Sequence, residues 1–263
     1  MIRQSVKMAW KAISSNKMRS FLTMLGIIIG VLALVVLVSL VSGATSSVND
    51  QISSMGTNLL QVSIADDKDK PLKLTDLEEL AAEEEIEEAA PVAQTSGTAA
   101  STYSEETATI YGTTGAYADI MQQELYAGRF LKNTDVDNHT NVAVINAGLA
   151  TEVLGRMDVV GETMKLDGIS YTIVGVLQAD DSDTSTTQTY EAYIPYTSLV
   201  RLTDSISMEI TSFYVSAASE ESLDPAETVV TETLMNRFEQ DEDAFTVIKQ
   251  STIMEAMDSV NSI

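Results

Sequence analysis

FLTMLGIIIGVLALVVLVSLV (residues 21–41) holds no charged side chain across 21 positions. As an α-helix rising ~1.5 Å per residue it spans ~31 Å, close to the ~30 Å hydrocarbon core of a bilayer. The stretch predicts a transmembrane helix, taken as residues 21–43. Its flanks set the direction: residues 1–20 carry five bases, Arg3, Lys7, Lys11, Lys17 and Arg19, and no acid, while the rest carries 10 bases against 39 acids. Lys and Arg beside a span stay on the cytoplasmic side, which predicts the N-terminus inside and the chain after about residue 43 outside. A cleaved signal peptide, with Ser42, Gly43 and Ala44 as its exit, is the competing reading; the apolar run is longer than the usual h-region of about 7 to 15 residues. Gly26 and Gly30 give a GxxxG spacing that permits close helix approach, so both are assigned to packing within the membrane.

The twenty residues before the span have their own pattern. Ile2, Val6, Ala9, Trp10 and Ile13 recur at helical spacing, with Arg3, Lys7 and Lys11 in an i, i+4 stripe beside them. Such a helix can lie along the inner leaflet with its basic face toward anionic lipid, so the bilayer itself is an expected partner. It is either a topology signal or an elbow that receives force from a cytoplasmic partner.

Composition excludes several functions. A net charge of −24 and a pI near 4.1 argue against nucleic acid, whose phosphates demand clustered bases. With no cysteine there is no disulfide, thiolate metal site or thiol nucleophile. His139, the one histidine, lies in the polar run TDVDNHTN without the partner that a general base needs. Asp135, Asp137 and Asn138 faintly suggest a calcium loop, but Thr140 stands where an EF-hand requires Gly and Asn146 where it requires Glu. Asp180, Asp181 and Asp183 sit in a low-complexity polar segment that reads as a loop. No catalytic, cofactor or metal residue is expected in this chain.

Beyond the span, residues 44–57 read as a polar helical stalk. Residues 58–64 alternate as a strand; Thr75 and Glu78 have capping-box spacing and open a helix through about Glu88, followed by a strand over 91–102. A hairpin-like stretch over 99–112 leads to a short helix at 117–122 and a turn at Gly128, Arg129 and Phe130. Residues 142–145 read as a buried strand, and Asn146 caps a helix that stops at Gly155. Asp167-Gly168 between two β-rich runs signals a tight hairpin. A strand over 207–217, a helix capped by Asp224 with Pro225 at its first position, and a strand over 245–249 close the chain, with Ala226, Val230, Leu234 and Phe238 as the buried stripe of that helix. The fold class is α+β: one N-terminal transmembrane helix, then an extracytoplasmic domain of two βαβ-like halves with a β-rich inserted subdomain.

MAWKAISSNKMRSFLTMLGIIIGV (residues 8–31) and QISSMGTNLLQV (51–62) resemble the opening of MacB-type ABC transporter permeases, of the MacB/FtsX superfamily. ELYAGRFLKNTD (124–135), VAVINAGLATEVLG (142–155), VVGETMKLDGISYTIVGVL (159–177) and YIPYTSLVRL (193–202) continue the resemblance in the family's order. It implies an elbow helix over 1–20, a porter-like subdomain with halves over 58–104 and 206–250, an inserted subdomain over 105–205, and a return stalk over 251–263 toward a second transmembrane helix. It further implies a permease that dimerises with a second copy or homologue, works with a cytoplasmic ABC ATPase, and in some members meets a membrane-fusion-type adaptor. No G-x-x-x-x-G-K-[ST] occurs in the 263 residues, so ATP and Mg are expected on a partner ATPase rather than here. Efflux of peptides, antibiotics or similar compounds is the expected function. An FtsX-like activator of a cell-wall enzyme and a signal-anchored surface binding protein are the alternatives.

Overall fold

The computed structural model describes residues 18, 21–36, 39, 58–179, 189–203, 206–219, 221–250 and 252. The basic residues Arg3, Lys7, Lys11, Lys17 and Arg19, the stalk over 44–57, most of the 251–263 segment, and Asp180, Asp181 and Asp183 lie outside them. Residues 21–36 are helical with every side chain exposed, and nothing stands within 4 Å of where a Cβ on Gly26 or Gly30 would be. Among the described residues no helix is long and apolar enough to cross a membrane; the expected span over 21–43 runs past the described part.

From residue 58 the chain builds two sheets. Strands β1 (Leu59–Ile64), β2 (Ile86–Pro91), β10 (Ser212–Ala217) and β11 (Phe245–Lys249) form a four-stranded antiparallel sheet in the order β11-β1-β10-β2. Helix α1 (Leu74–Leu80) joins β1 to β2 and α6 (Leu223–Arg237) joins β10 to β11. Each βαβ half therefore brackets one strand of the other, a split arrangement in which neither half completes the sheet alone. Alternation supplies the core: Leu60, Val62, Phe213, Val215 and Ala217 face Ala226, Val230, Leu234 and Phe238 of α6 and its cap.

The second sheet contains β3 (Ala93–Ala100), β4 (Glu105–Thr113), β5 (Leu125–Gly128), β6 (Val142–Ile145), β7 (Thr163–Leu166), β8 (Ile169–Leu177) and β9 (Glu191–Pro195), in the order β5-β8-β6-β9-β4-β3-β7. Because β7 pairs with β8 as well as β3, six strands close into a ring, with β5 added on the outer edge of β8. Each strand of the ring turns alternate residues inward: Ala99, Ile110, Ala143, Ile145, Met164, Leu166, Tyr171, Ile173, Ala192 and Ile194 share one core with Leu149 and Val153 of α4 (Ala147–Leu154). Asp167 (φ 44°) and Gly168 (φ 83°) make the two-residue turn between β7 and β8, both in the left-handed region that a primed hairpin turn requires. Asn146 Oδ1 accepts from Leu149 N at 2.9 Å, and Gly155 ends α4 at φ 75°, as the sequence predicts.

Several expected boundaries move. The predicted helix to Glu88 stops at Leu80, and Ile86–Pro91 is strand β2. Leu77 and Leu80 bury one face of α1, but further turns would offer only Glu83, Glu84, Glu87 and Glu88, whereas the strand buries Ile86 and Ala90. The N-cap is Lys73 rather than Thr75, and its N–H donates to Asp76 at 2.7 Å. Helix α6 starts at Leu223, with Ser222 as cap instead of Asp224. Strand β10 starts at Ser212, later than expected, and the polar run at TDVDNHTN contains a helical turn, α3 (Asn133–Asp137). Strand β3, assigned from sequence to the first βαβ half, instead pairs along its whole length with β4. A four-residue connection makes that ladder cheap in loop entropy.

Candidate functional site

The chain enters and leaves the four-stranded sheet side by side. Leu60 at the start of β1 stands opposite Lys249 at the end of β11. Asn58, just before β1, is held to the neighbouring strand: its side-chain Nδ2 donates to the Ala217 carbonyl at 2.6 Å and its own carbonyl accepts from Ala217 N at 2.9 Å. At the exit, Lys249 Nζ contacts Asp224 at 2.6 Å and Glu227 at 2.8 Å, both on α6. Hydrogen bonds to Asp224 and then Glu227 push its pKa up to about 12, so the ammonium stays charged. Strand ends that receive residues 57 and 250 are thus tied to β10 and to α6.

A seam joins the two sheets. Residues pointing out of the ring, Val144 on β6 and Tyr193 on β9, meet Leu59 and Ala90 from the far face of the small sheet. Tyr117 on α2 (Ala116–Ile120), Phe130 and Leu131 fill the space between. Tyr111 and Tyr193 stack at 5.0 Å between ring centroids, Tyr117 lies 5.7 Å from Tyr193, and Tyr117 meets Tyr214 edge-on at 6.2 Å. Polar ties pin the seam at both ends: Thr113 Oγ1 donates to Pro91 O at 2.7 Å, Val92 N to Ser212 O at 3.0 Å, and Tyr196 Oη to Glu209 O at 3.0 Å. Helix α5 (Tyr196–Leu202) serves both bodies, with Tyr196 in the small-sheet core and Leu199 in the ring.

The seam also holds an acid. Glu191 precedes Tyr193 on the same face of β9; Tyr193 Oη donates to Glu191 Oε2 at 2.8 Å. Burial pushes the Glu191 carboxyl above its usual range against the lowering effect of that bond. Burial likewise raises the Tyr111 hydroxyl to about 12 and moves Tyr117 and Tyr193 further up, so the phenols remain neutral.

The acidic run at 133–140 has a structural role. Asp135 accepts from Arg129 at 2.7 and 3.2 Å, from Lys132 N at 2.9 Å and from Thr140 Oγ1 at 3.3 Å. Burial would raise its pKa, but these bonds outweigh it and hold the carboxyl below the usual range. Thr197 Oγ1 and Ser198 Oγ donate to the carbonyls of Val136 and Thr140, docking α3 on α5. Among the described residues no group of three His, Asp or Glu side chains could hold a metal ion. The seam tyrosines and Glu191 escape sequence reasoning; the alternation Glu191-Ala192-Tyr193-Ile194 was the available signal, because it places an acid and an aromatic together on the face opposite a buried one.

Residues 20–233 match the family model of the MacB-like periplasmic core domain. Among curated proteins, the macrolide export ATP-binding/permease protein MacB of Neisseria gonorrhoeae is 29% identical over 204 residues, 75% of this chain and 32% of that protein. MacB of Campylobacter jejuni is 32% identical over 204 residues, covering 74% and 32%. The chain thus spans about a third of the length of these relatives, at 32%. The periplasmic region of MacB from Actinobacillus actinomycetemcomitans shares the fold, with a TM-score of 0.65 at 22% identity, covering 79% of this chain and 95% of that one. With the described sheets and the family model in agreement over most of its length, the chain belongs to the family of the MacB-like periplasmic core domain, the extracytoplasmic portion of permeases of the MacB/FtsX type.

Proposed function

We propose that this chain is the force-receiving outer part of an efflux permease, moved by a cytoplasmic ATPase and exporting peptides, antibiotics or similar compounds. The observation that carries the reading is the pairing of β1 with β11, which puts both membrane-side connections on neighbouring strands of one sheet. Motion of those connections reaches the ring through the seam, where Thr113, Tyr196 and the tyrosine cluster link the bodies. On this reading the N-terminus is cytoplasmic and residues beyond about 43 are outside; Gly26 and Gly30 pack against other helices of the permease, and the basic face of residues 1–20 meets the ATPase or the inner leaflet. The chain itself does no chemistry: ATP and Mg bind the ATPase, a second permease copy completes the dimer, and a membrane-fusion-type adaptor receives the cargo.

The test uses the full-length permease with its ATPase in lipid vesicles. A Gly-Gly insertion within residues 46–53 softens the stalk, so ATP hydrolysis continues while export falls at least fivefold. Equal export by the insertion variant overturns mechanical coupling. In cells, unchanged drug tolerance but altered division after deletion of the gene replaces efflux with activation of a cell-wall enzyme.

A further inference from the structure

Strand β11 has a strand partner on one side only. Ala65 N donates to Ala244 O at 2.8 Å, and the antiparallel register carries that alternation on, so Ser63 bonds Thr246 and Gln61 bonds Ile248 through their main chains. The N–H groups of Phe245, Val247 and Lys249 and the carbonyls of Phe245 and Val247 therefore point away from the sheet, and none finds a main-chain partner among the described residues. The other free edges are blunted. On β2 the outward positions are Glu87, Ala89 and Pro91; Pro91 has no N–H, its carbonyl accepts from Thr113, and α2 packs against the strand. Strand β5 slips register at Tyr126 and ends in the left-handed Gly128 (φ 84°). By contrast β11 keeps a regular register and carries three β-branched residues, Thr246, Val247 and Ile248, with Ile248 38% exposed.

We infer that the outer edge of β11 takes up an extended basic peptide as a fifth strand of the small sheet. A polypeptide offers donors and acceptors alternating at strand spacing, which is what this edge can bond. Charge sets the sign of the partner. Glu242 and Asp243 stand exposed just before the strand. At its far end Lys249 is shared between Asp224, 84% exposed, and Glu227, which leaves that end negative as well. A second copy is disfavoured, because antiparallel pairing about Val247 sets Glu242 and Asp243 of one chain against Asp224 and Glu227 of the other. Residues 44–57 and 251–263 carry acids and no base, Asp50, Glu255 and Asp258, so the same charges repel them. The inference concerns binding by this sheet and does not rest on efflux.

The experiment titrates the full chain in phosphatidylcholine nanodiscs with a fluorescein-labelled peptide, Lys-Val-Thr-Val-Thr-Val-Lys, read by anisotropy against empty nanodiscs. Saturable binding is expected, weakened about tenfold or more when Glu replaces both Lys residues of the peptide or when its amides are N-methylated. Val247→Pro, which removes an outward donor and no ladder bond, weakens binding about fivefold. On binding, hydrogen exchange slows at the Val247 and Lys249 amides, while Thr246 and Ile248, already bonded to β1, change little. No saturable binding assigns the edge to residues 251–263 or to a second copy and overturns the proposal. Equal binding of the N-methylated or the acidic peptide, or undiminished binding by Val247→Pro, overturns it too. Both modified peptides are read on the unaltered chain, so the comparison stands if Val247→Pro alters folding.

Discussion

Asp135 illustrates how a residue that looks like a ligand serves as a brace. Its side chain is 10% exposed, and four donors satisfy it. Asp135→Asn is expected to lower stability at neutral pH by about 2 kcal/mol, since bonds to a charged group are lost while Arg129 stays partly buried. The folded-state pKa is depressed, so the contribution is present above the unfolded value and lost as pH falls through the folded one. The gap between wild type and variant therefore closes below about pH 4, as urea titrations at pH 7 and pH 3 will show. A larger gap at pH 3 would contradict the assignment. From sequence, TDVDNHTN reads as an unshielded loop; its partners Arg129, Thr197 and Ser198 lie in other elements, and only the fold brings them together. Gly175 is a similar case, since a Cβ there would stand 2.2 Å from the Arg129 carbonyl, a crowding no local pattern announces.

Elements with local signals are the legible ones. The Asp167-Gly168 hairpin, the Asn146 cap, the Gly155 stop and the strand Phe245–Lys249 are all recovered, because turn and cap chemistry is written within a few residues. Helix α6 is legible through its stripe: Ala226, Val230, Leu234 and Phe238 are at most 2% exposed. Leu234→Ala should cost about 3 kcal/mol, measured by chemical denaturation, because the packed sheet behind it cannot collapse into the void. A loss under about 1 kcal/mol would show the core there to be loose. Where charge and apolar residues mix, local signals mislead. The glutamates after Leu80 carry helix propensity, yet Ile86 and Ala90 decide for a strand because tertiary burial outweighs propensity.

At the level of the whole molecule, the partner of each strand is the least legible feature. Nothing local tells β3 to leave the small sheet or β7 to close the ring, since both depend on pairings with distant segments. The seam shares that difficulty, with its tyrosines contributed from positions 111, 117, 193 and 214. A whole-molecule prediction concerns the entry and exit strands. On the efflux reading, Leu60→Cys with Lys249→Cys, oxidised to a cross-strand disulfide, is expected to leave export by the full permease within about twofold of the same variant in its reduced form, because directly opposed strand residues have the proximity a disulfide requires and the strands move as one body. Export lost on oxidation and restored on reduction would mean that the strands part during the cycle.

Strand β2 reaches Pro91 opposite Phe213, and Val92 N donates to Ser212 O, so the points where the chain quits and rejoins the small sheet are nearest neighbours. Everything between is a closed cassette hung from two adjacent posts. Evolution can exchange such a cassette for another without rewiring the strands of the platform below, provided the replacement shields Leu59, Ala90 and Tyr214 and fills the places that Tyr196 and Ile210 take in the small-sheet core. The inserted ring and the four-stranded platform can consequently diversify on separate genetic timetables.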